Sequence, residues 1–376
     1  MIIVIDTKGI VMKQYKILVI NPGSTSTKLS LFVNEEHQFT TDVFHDSSVL
    51  KTFATINDQL DYRMEVVDKF ILDNQIDLHD IDAIAARGGP SYSVSGGTYE
   101  IKDQLIQDTR DSKGGLYHSS MLGVQMAKRI HDTYGGRMFM SDPTVVDEYS
   151  DLARVTGIDG IYRRAICHAL NLKTVARKHA HSMHKKYEDL NLIVCHIDGG
   201  ITITAHEKGK MIDGNDGGGG DGPFTPTRMG SIAITDVVRY LWDKPKEEMM
   251  NLCSCTGGLS NYFGTSNSTE IHKLVEQRDP KAVRVWNAMI YQVCKSIGSM
   301  ATVLHGKVDG ILLTGGLMRF QDVYHQIYER CGWIAPISVY PGEYEQEALA
   351  INALRVLLNE EEVKEYTGKP VWDGFE

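Results

Sequence analysis

ILVINPGSTSTKLSLF, residues 17–32, combines an apolar run, a tight turn and a second apolar segment. The run ends in NPG, hydroxyl residues and Lys28 follow, and apolar residues then alternate with polar ones. Such alternation is typical of a strand, so the segment predicts two strands joined by a turn. The stretch does not match a P-loop, because Thr27 stands where that pattern has a glycine before its lysine, and no helical pattern follows Lys28.

The turn between these strands has the composition of a backbone anion site. Gly23 lets a ligand approach the main chain, and successive N–H groups of a turn can point at one anion. Ser24, Thr25 and Ser26 add hydroxyl donors, and Lys28 adds a positive charge. A hairpin tip that meets only solvent would have a similar composition, and this stretch alone does not separate the two interpretations.

A second stretch repeats these features. LIVCHIDGGITITAH, from Leu192, again has an apolar run, a polar residue, a small turn, hydroxyls and alternation. The two copies are about 175 residues apart in a chain of 376, which predicts two duplicated domains. A third glycine turn, Gly315-Gly316, ends the apolar run 310–314. Strand ends of this kind let an anionic ligand lie against the backbone.

Segments of strand type alternate with helical ones along the whole chain, which indicates an α/β fold. Helical patterns predict helices over 118–131, 161–181, 281–304 and 345–358. The short apolar run 81–86 predicts a buried strand. The length of 376 residues fits two domains.

Composition excludes some classes of function. The formal charge of −10 argues against a nucleic-acid binder, which normally has a basic surface. The apolar runs are too short to span a membrane, and the first residues make a poor signal peptide. The six cysteines have no CxxC spacing, so we expect reduced thiols in a cytoplasmic protein.

Several segments together resemble the superfamily of acetate and sugar kinases, chaperone ATPases and actin. Within it, the chain is similar to the butyrate kinases of the acetokinase family. The similarity covers INPGSTSTK, ARGG, GGTYE, SDPTVVDE, RRAICHALN, HIDGGITITAH, GPFTPTR, GGLSNYFGT, LTGGLM and YPGEYEQEALA. The first of these, the HALN segment and the last are the most specific to butyrate and branched-chain fatty-acid kinases.

The resemblance implies two ribonuclease H-like (actin-like ATPase) domains around a central cleft. We predict the N-terminal domain over residues 1–180, with the C-terminal helix of 350–376 packing back on it, and a nucleotide-binding domain over 181–349. Residues 1–11 are either a start-site extension ahead of Met12 or a short edge strand. We also expect a homo-oligomer, a dimer or larger.

The implied reaction is butanoate + ATP = butanoyl phosphate + ADP, with Mg²⁺ on the phosphates. A short-chain acid is ionised near neutral pH and needs no general base, but it must approach a polyanion. The site therefore needs cations and preorganised donors. Acetate, propionate or a branched acid are alternative substrates. An actin-like or chaperone-like ATPase, or a homologue that binds nucleotide without turnover, are alternatives of another class.

The resemblance also implies roles for particular residues. Arg87 and Arg228, each beside a glycine turn, would hold the acyl carboxylate and the transferring phosphoryl group. His168 would stabilise the transition state, and Asp142 matches a catalytic acid of the family. Glu347 would hold Mg²⁺ through water, with Glu343 and Glu345 as competing candidates. The implied phosphate contacts are Asn21, Gly23, Ser24, Thr25, Ser26, Lys28, His196, Gly199, Gly200, Gly315 and Gly316.

The chain departs from the family pattern at the second turn. Asp198 stands where the family usually has glycine, and its carboxylate would face phosphates unless it turns outward or meets the metal. Such a carboxylate would lower nucleotide affinity; the alternative is that the match to the family pattern is shifted by one residue at this turn. GGPSYSV after Arg87 also differs from the usual family sequence, which points to a different acyl pocket, and TPTRMGS around Arg228 is a further departure from the family pattern.

Overall fold

The computed structural model describes residues 3–6, 9–115 and 117–375, with only the backbone described up to residue 12. The chain forms two units, Met1–Asp147 together with Tyr344–Glu376, and Glu148–Glu343. This boundary lies before the one expected at residue 180, because the helix Ala169–Ser182 packs on strands of the second unit.

The first unit contains a six-stranded sheet in the order β5-β4-β3-β6-β8-β7. Its strands are β3 (Lys16–Pro22), β4 (Ser26–Val33), β5 (Glu36–Phe44), β6 (Ala83–Ala86), β7 (Thr98–Glu100) and β8 (Arg137–Ser141). β3, β4 and β5 pair antiparallel, whereas β6 runs parallel to β3, and β8 runs parallel to β6. The strand expected from residue 81 begins at Ala83.

The second unit contains a five-stranded sheet in the order β11-β10-β9-β12-β13. Its strands are β9 (Asn191–Ile197), β10 (Ile201–Glu207), β11 (Lys210–Gly214), β12 (Gly310–Gly315) and β13 (Ile337–Pro341). Three antiparallel strands are again followed by two parallel ones. The same arrangement occurs in β5-β4-β3-β6-β8, so the expected duplication of an α/β domain is confirmed.

Residues near the N-terminus form a hairpin of their own. β1 (Ile3–Asp6) pairs antiparallel with β2 (Gly9–Met12), and this pair belongs to neither larger sheet. The described residues of this segment are therefore strands of a separate hairpin, while residues 1, 2, 7 and 8 lie outside the described part of the chain.

The described residues form thirteen α-helices, several of which pack on the faces of the two sheets. They are α1 (Ser47–Leu50), α2 (Leu60–Asp73), α3 (Asp103–Arg110), α4 (Met121–Tyr134), α5 (Asp151–Arg154), α6 (Ala169–Ser182), α7 (Ile234–Leu241), α8 (Lys246–Ser254), α9 (Gly258–Phe263), α10 (Ser268–Glu276), α11 (Pro280–Val303), α12 (Gln321–Cys331) and α13 (Glu345–Leu357). The helix expected over 161–181 begins only at Ala169, because Tyr162 instead makes an antiparallel bridge with Val155. None of the described helices is long and apolar enough to cross a membrane.

α11 shows why the sequence folds locally as it does. Its N-cap Asp279 accepts a hydrogen bond from the N–H of Ala282, and Pro280 occupies the first turn, where a missing N–H costs nothing. Trp286, Ile290 and other apolar residues at helical spacing are buried in the core of the second unit. This packing supports the strands whose ends form the second turn.

Candidate functional site

The first turn follows β3 and is closed by its own backbone. The N–H of Gly23 donates to the carbonyl of Ser26 at 2.8 Å, and Asn21 pairs with Lys28 across the hairpin. Ser24 and Thr25 are exposed at the tip, whereas Asn21 and Ser26 are buried. The turn thus presents hydroxyl groups at the end of a buried strand.

Arg63, which the sequence did not single out, holds this turn from beneath. Its Nη1 donates to the carbonyls of Gly23 and Ser26 at 2.9 and 3.0 Å and to Oγ1 of Thr27 at 3.1 Å. Its Nε and Nη2 donate to Oε1 of Gln59 at 3.1 and 3.0 Å. The side chain is fully buried on α2, and desolvation lowers its pKa to about 10. Because both carbonyls are held inward, the turn is fixed in one conformation.

Arg87 lies directly after β6 and joins a cluster with Asn21 and Glu345. Its Nη1 donates to Oε2 of Glu345 at 2.9 Å and to Oδ1 of Asn21 at 3.2 Å. Nδ2 of Asn21 donates to the same Glu345 oxygen at 2.8 Å. The cluster places a cation, an amide and a carboxylate at the ends of adjacent strands.

This cluster contains Glu345, one of the candidates for the metal. Glu345 contacts Asn21 and Arg87. α13 begins at Glu345, and residues two positions apart on a helix point about 200° away from each other. Glu347 therefore leaves the helix on another side, and its metal role stays a prediction, with Glu345 as a competing candidate.

Asp142 lies at the end of β8 in a strained conformation. Its φ of 38° is in the left-handed region, and its side chain is completely buried. Oδ1 accepts a hydrogen bond from the N–H of Gly97 at 2.7 Å. Backbone strain in a non-glycine residue persists only where the surroundings hold it, and it is common at functional sites.

His118 is a further polar neighbour of the first turn that the sequence did not reveal. Its Nε2 lies 3.0 Å from Oγ of Ser24, and its Nδ1 lies 3.0 Å from Oγ of Ser120, just before α4. The sequence YHSS before an apolar helix could have pointed to His118, but it resembles an ordinary helix N-terminus.

In the second unit, the glycine turn after β9 is tied to the loop that carries Arg228. The carbonyl of Gly199 accepts hydrogen bonds from Oγ1 of Thr225 and Oγ1 of Thr227 at 2.7 and 3.0 Å. The N–H of Arg228 in turn donates to Oγ1 of Thr225 at 3.0 Å. A methyl group on Gly200 would overlap the guanidinium of Arg228, so the two are in close contact.

Two nitrogens of the Arg228 guanidinium, Nε and Nη1, are shielded from solvent and have no hydrogen-bonding partner in the part of the chain that the structure describes. Desolvation lowers the pKa of Arg228, and electrostatic interactions with Cys255 and Asp216 partly oppose this effect. A buried cation with unused donors is costly, and an anionic ligand beside Gly200 would satisfy it.

His168 lies at the start of α6 and faces the same turn. Its Nδ1 is 3.0 Å from Oγ1 of Thr202, and its ring stacks on His196 with centroids 4.1 Å apart and planes at 22°. Nδ1 of His196 is 2.8 Å from Nδ2 of Asn171. These contacts fix both imidazole rings. The direction in which Nε2 of His168 points is therefore set by the fold.

Asp198 is bound to the backbone of two glycine turns. Oδ1 accepts from the N–H of Gly199 at 2.7 Å, and Oδ2 accepts from the N–H of Gly316 at 2.5 Å. Asp198, His196 and the exposed Glu343 also offer metal-ligand atoms that lie within 4.8 Å of one another. The expected departure at this position therefore alters the donors that a phosphate would use.

The structure thus groups the expected residues into two sets, one in each unit. The first set contains Asn21, Arg87, Asp142 and the turn of residues 23–26. The second contains His168, His196, Gly199, Gly200, Arg228, Gly315 and Gly316. Each set lies at the ends of the parallel strands of its sheet, where α/β folds commonly bind ligands.

Comparison with known proteins agrees with these observations. Residues 148–324 match the model of the Acetokinase family. The acetate kinase of Porphyromonas gingivalis is similar at a TM-score of 0.73 and 16% identity, over 92% of this chain and 100% of that one. A propionate kinase from Francisella tularensis subsp. tularensis is similar at 0.72 and 18% identity, over 90% and 98% of the two chains.

The acetate kinase of Entamoeba histolytica gives a TM-score of 0.73 at 16% identity, over 92% of this chain and 100% of that one. At such low identity these likenesses show the fold. The chain thus has the fold of acetate and propionate kinases over nine-tenths of its length, and its residues 148–324 carry the sequence pattern of the acetokinase family.

Proposed function

We propose that this protein is an ATP- and Mg²⁺-dependent carboxylate kinase that catalyses butanoate + ATP = butanoyl phosphate + ADP, reversibly and by direct in-line transfer. The observation that carries the proposal is Arg228, whose Nε and Nη1 are buried without a hydrogen-bonding partner among the described residues and whose guanidinium touches the Gly200 turn. Kinase chemistry on an anionic acceptor needs such a cation, because two anions must meet. The fold and the family match support the reaction class.

The residues of the second unit have defined parts in this mechanism. Arg228 would neutralise charge between the acyl carboxylate and the transferring phosphoryl group, with a planar fork that suits either. His168, held through Nδ1 by Thr202, would donate from Nε2 to an equatorial oxygen in the transition state. The amides of Gly199 and Gly200 would contact the phosphates, and His196 would support His168 by stacking.

The first unit supplies a second cation and the metal ligand. Arg87 would hold the acyl carboxylate, and Asn21 with the turn of residues 23–26 and Lys28 would contact phosphate oxygens. Glu347 would hold Mg²⁺ through water, with Glu345 and Glu343 as competing candidates, because carboxylate oxygens are ligands that Mg²⁺ prefers. When bound, Mg²⁺ would neutralise charge on the phosphate oxygens.

The test is acyl phosphate formation, trapped with hydroxylamine, across acetate, propionate, butyrate and isobutyrate. We expect the largest kcat/KM with butyrate. A signal with acetate or propionate alone would assign the chain to those kinases, and a branched-acid preference would assign it to branched-chain fatty-acid kinases. Absence of signal with every acid would contradict the proposal.

A catalytically impaired nucleotide-binding homologue is the second candidate, and Asp198 is the observation that favours it. Its carboxylate occupies backbone donors that a phosphate would use. Such a protein would bind ATP without acid-dependent turnover. An actin-like or chaperone-like ATPase would instead hydrolyse ATP slowly, with no dependence on a carboxylic acid.

We also propose that the protein forms a homo-oligomer through the segment 232–250. α7 has no buried residue, and six apolar side chains of this segment are between 44% and 76% exposed: Ile232, Ile234, Val238, Tyr240, Trp242 and Met250. At roughly 200 Å² each they expose about 700 Å², close to the ~800 Å² that each partner contributes to a stable interface. Analytical sedimentation of the native protein should show a dimer or a larger species, and the double variant Ile234→Glu, Trp242→Glu should be dissociated. A monomeric native protein would contradict the proposed homo-oligomer.

We place the protein in the cytoplasm, because its six cysteines are all free, as is usual for reducing compartments.

A further inference from the structure

We propose that the Asp198 carboxylate is an internal anion that occupies the backbone donors of the second glycine turn and so lowers the affinity of this turn for phosphate. This proposal depends on the proposed function only for the identity of the natural ligand, a nucleoside polyphosphate. Asp198 would be a residue that determines the phosphate affinity of the second glycine turn.

The geometry brings one side chain to two separate turns. β9 ends at Ile197 and β12 ends at Gly315, and the two strands are parallel neighbours, so their ends meet at one edge of the sheet. Asp198 follows β9 and reaches across this edge. One carboxylate oxygen accepts the N–H of Gly199 and the other accepts the N–H of Gly316.

These two N–H groups are the kind of donors that glycine turns offer to phosphate oxygens. The carboxylate fits closely, since a methyl group on Gly316 would lie 2.6 Å from Oδ2 of Asp198. A phosphate that binds to both N–H groups must therefore displace Asp198.

Charge acts in the same direction as the competition for donors. A displaced carboxylate would remain within a few ångströms of the phosphate, where repulsion between like charges is strong near a protein surface. We therefore expect removal of the carboxylate to tighten phosphate binding at this turn by about tenfold or more.

A cation site is the alternative interpretation. His196, Asp198 and Glu343 could together hold a divalent ion. We favour the internal anion because both oxygens of Asp198 already accept backbone N–H groups. In the cation interpretation, loss of Asp198 would weaken metal binding and the binding of a metal-bound polyphosphate, which is the opposite result.

The test measures inorganic pyrophosphate and ATP binding by calorimetry, with and without Mn²⁺, in the full chain. Asp198→Ala should bind pyrophosphate at least tenfold more tightly than the native protein. Asp198→Asn, which removes the charge but keeps one acceptor, should give a smaller gain and guards against misfolding of the alanine variant.

Asp221→Ala is the matched control. Oδ1 of Asp221 also accepts the N–H of the following glycine, Gly222, at 2.7 Å, so this variant removes the same charge and the same local contact. Its pyrophosphate affinity should stay close to native, and a gain equal to that of Asp198→Ala would show a general charge effect and overturn the proposal.

The remaining outcomes are equally decisive. Equal pyrophosphate affinity in native and Asp198 variants would overturn the proposal even if the native protein makes acyl phosphate. Loss of Mn²⁺ binding with weaker pyrophosphate binding would establish the cation site instead. A pyrophosphate gain without any ATP binding would support the internal anion and contradict the nucleotide function.

Discussion

Arg228→Met should stabilise the protein without ligand while abolishing most of its activity. Nε and Nη1 of Arg228 are buried without a partner among the described residues. A buried polar group left unsatisfied costs about 1–3 kcal/mol, and methionine keeps the apolar stem while removing the donors. We expect the free energy of unfolding to rise by about 2 kcal/mol, which corresponds to roughly 4–8 °C in Tm for a unit of this size.

The same change should remove a cation that the reaction needs. Loss of one preorganised electrostatic contact typically lowers kcat by about 100- to 1,000-fold. ATP binding should fall much less, because the other phosphate contacts remain. Saturating ATP with butyrate should therefore raise the Tm of the native protein more than that of the variant.

The assay combines urea unfolding of the ligand-free proteins with hydroxylamine trapping of acyl phosphate. A higher urea midpoint with an unchanged m-value would show that stability itself has changed. The reasoning is refuted if Arg228→Met unfolds at a lower urea concentration than the native protein, since its donors would then have been satisfied. Retained acyl transfer, or equal losses of transfer and of ATP binding, would refute the assigned role.

Three further predictions concern the two turns. Arg63→Met should lower the free energy of unfolding by about 1.5–3 kcal/mol, because it removes charge-assisted bonds to the turn carbonyls; unchanged urea stability would contradict this. Gly200→Ala should reduce acyl transfer at least tenfold, because its methyl group would displace Arg228. Gly199→Ala should lose much less activity, because its added methyl meets nothing within 4 Å. Equal losses in the two variants would exclude the contact between residue 200 and Arg228 as the cause. Burial lowers the pKa of His45 from 6.5 to about 4, so the folded state resists protonation, and stability should fall as pH drops from about 6.5 towards 4. Urea unfolding across this pH range should show a smaller loss of stability in His45→Gln than in the native protein. An equal loss would show that other groups cause the pH dependence.

The sequence predicted the features that are local in the chain. Both hairpin turns, the glycine pair after β12 and the positions of Arg87 and Arg228 beside glycines are all visible in short motifs. The duplication was visible because the two copies share composition as well as order. A prediction of this kind succeeds when one stretch contains both the strand and its turn.

Features that depend on where an element begins were less accessible. Glu345 and Glu347 differ only in their angle on α13, and this angle has meaning only once the first residue of the helix is known. The two units divide ahead of α6, whereas the expected boundary followed this helix, because the sequence pattern of α6 is the same whichever sheet it packs against.

Arg63 and Asp198 show a third limit, which is the direction of a polar side chain. Arg63 is in the middle of α2, where a lone arginine would normally be a surface residue. Only the tertiary structure shows that its donors reach the carbonyls of a turn about 40 residues earlier. Asp198 was recognised as a departure, but its contact with Gly316, 118 residues away, was not predictable.

The two units solve the same physical problem with different chemistry. A glycine turn can present its N–H groups outward only if its carbonyls are satisfied elsewhere. In the first unit a buried guanidinium accomplishes this, and in the second unit the hydroxyls of Thr225 and Thr227 bind the carbonyl of Gly199. The supporting residue comes from a different element in each unit, so duplication preserved the turn but not its support. The two turns should therefore respond independently to substitution, and Arg63→Met should leave the pyrophosphate gain of Asp198→Ala unchanged.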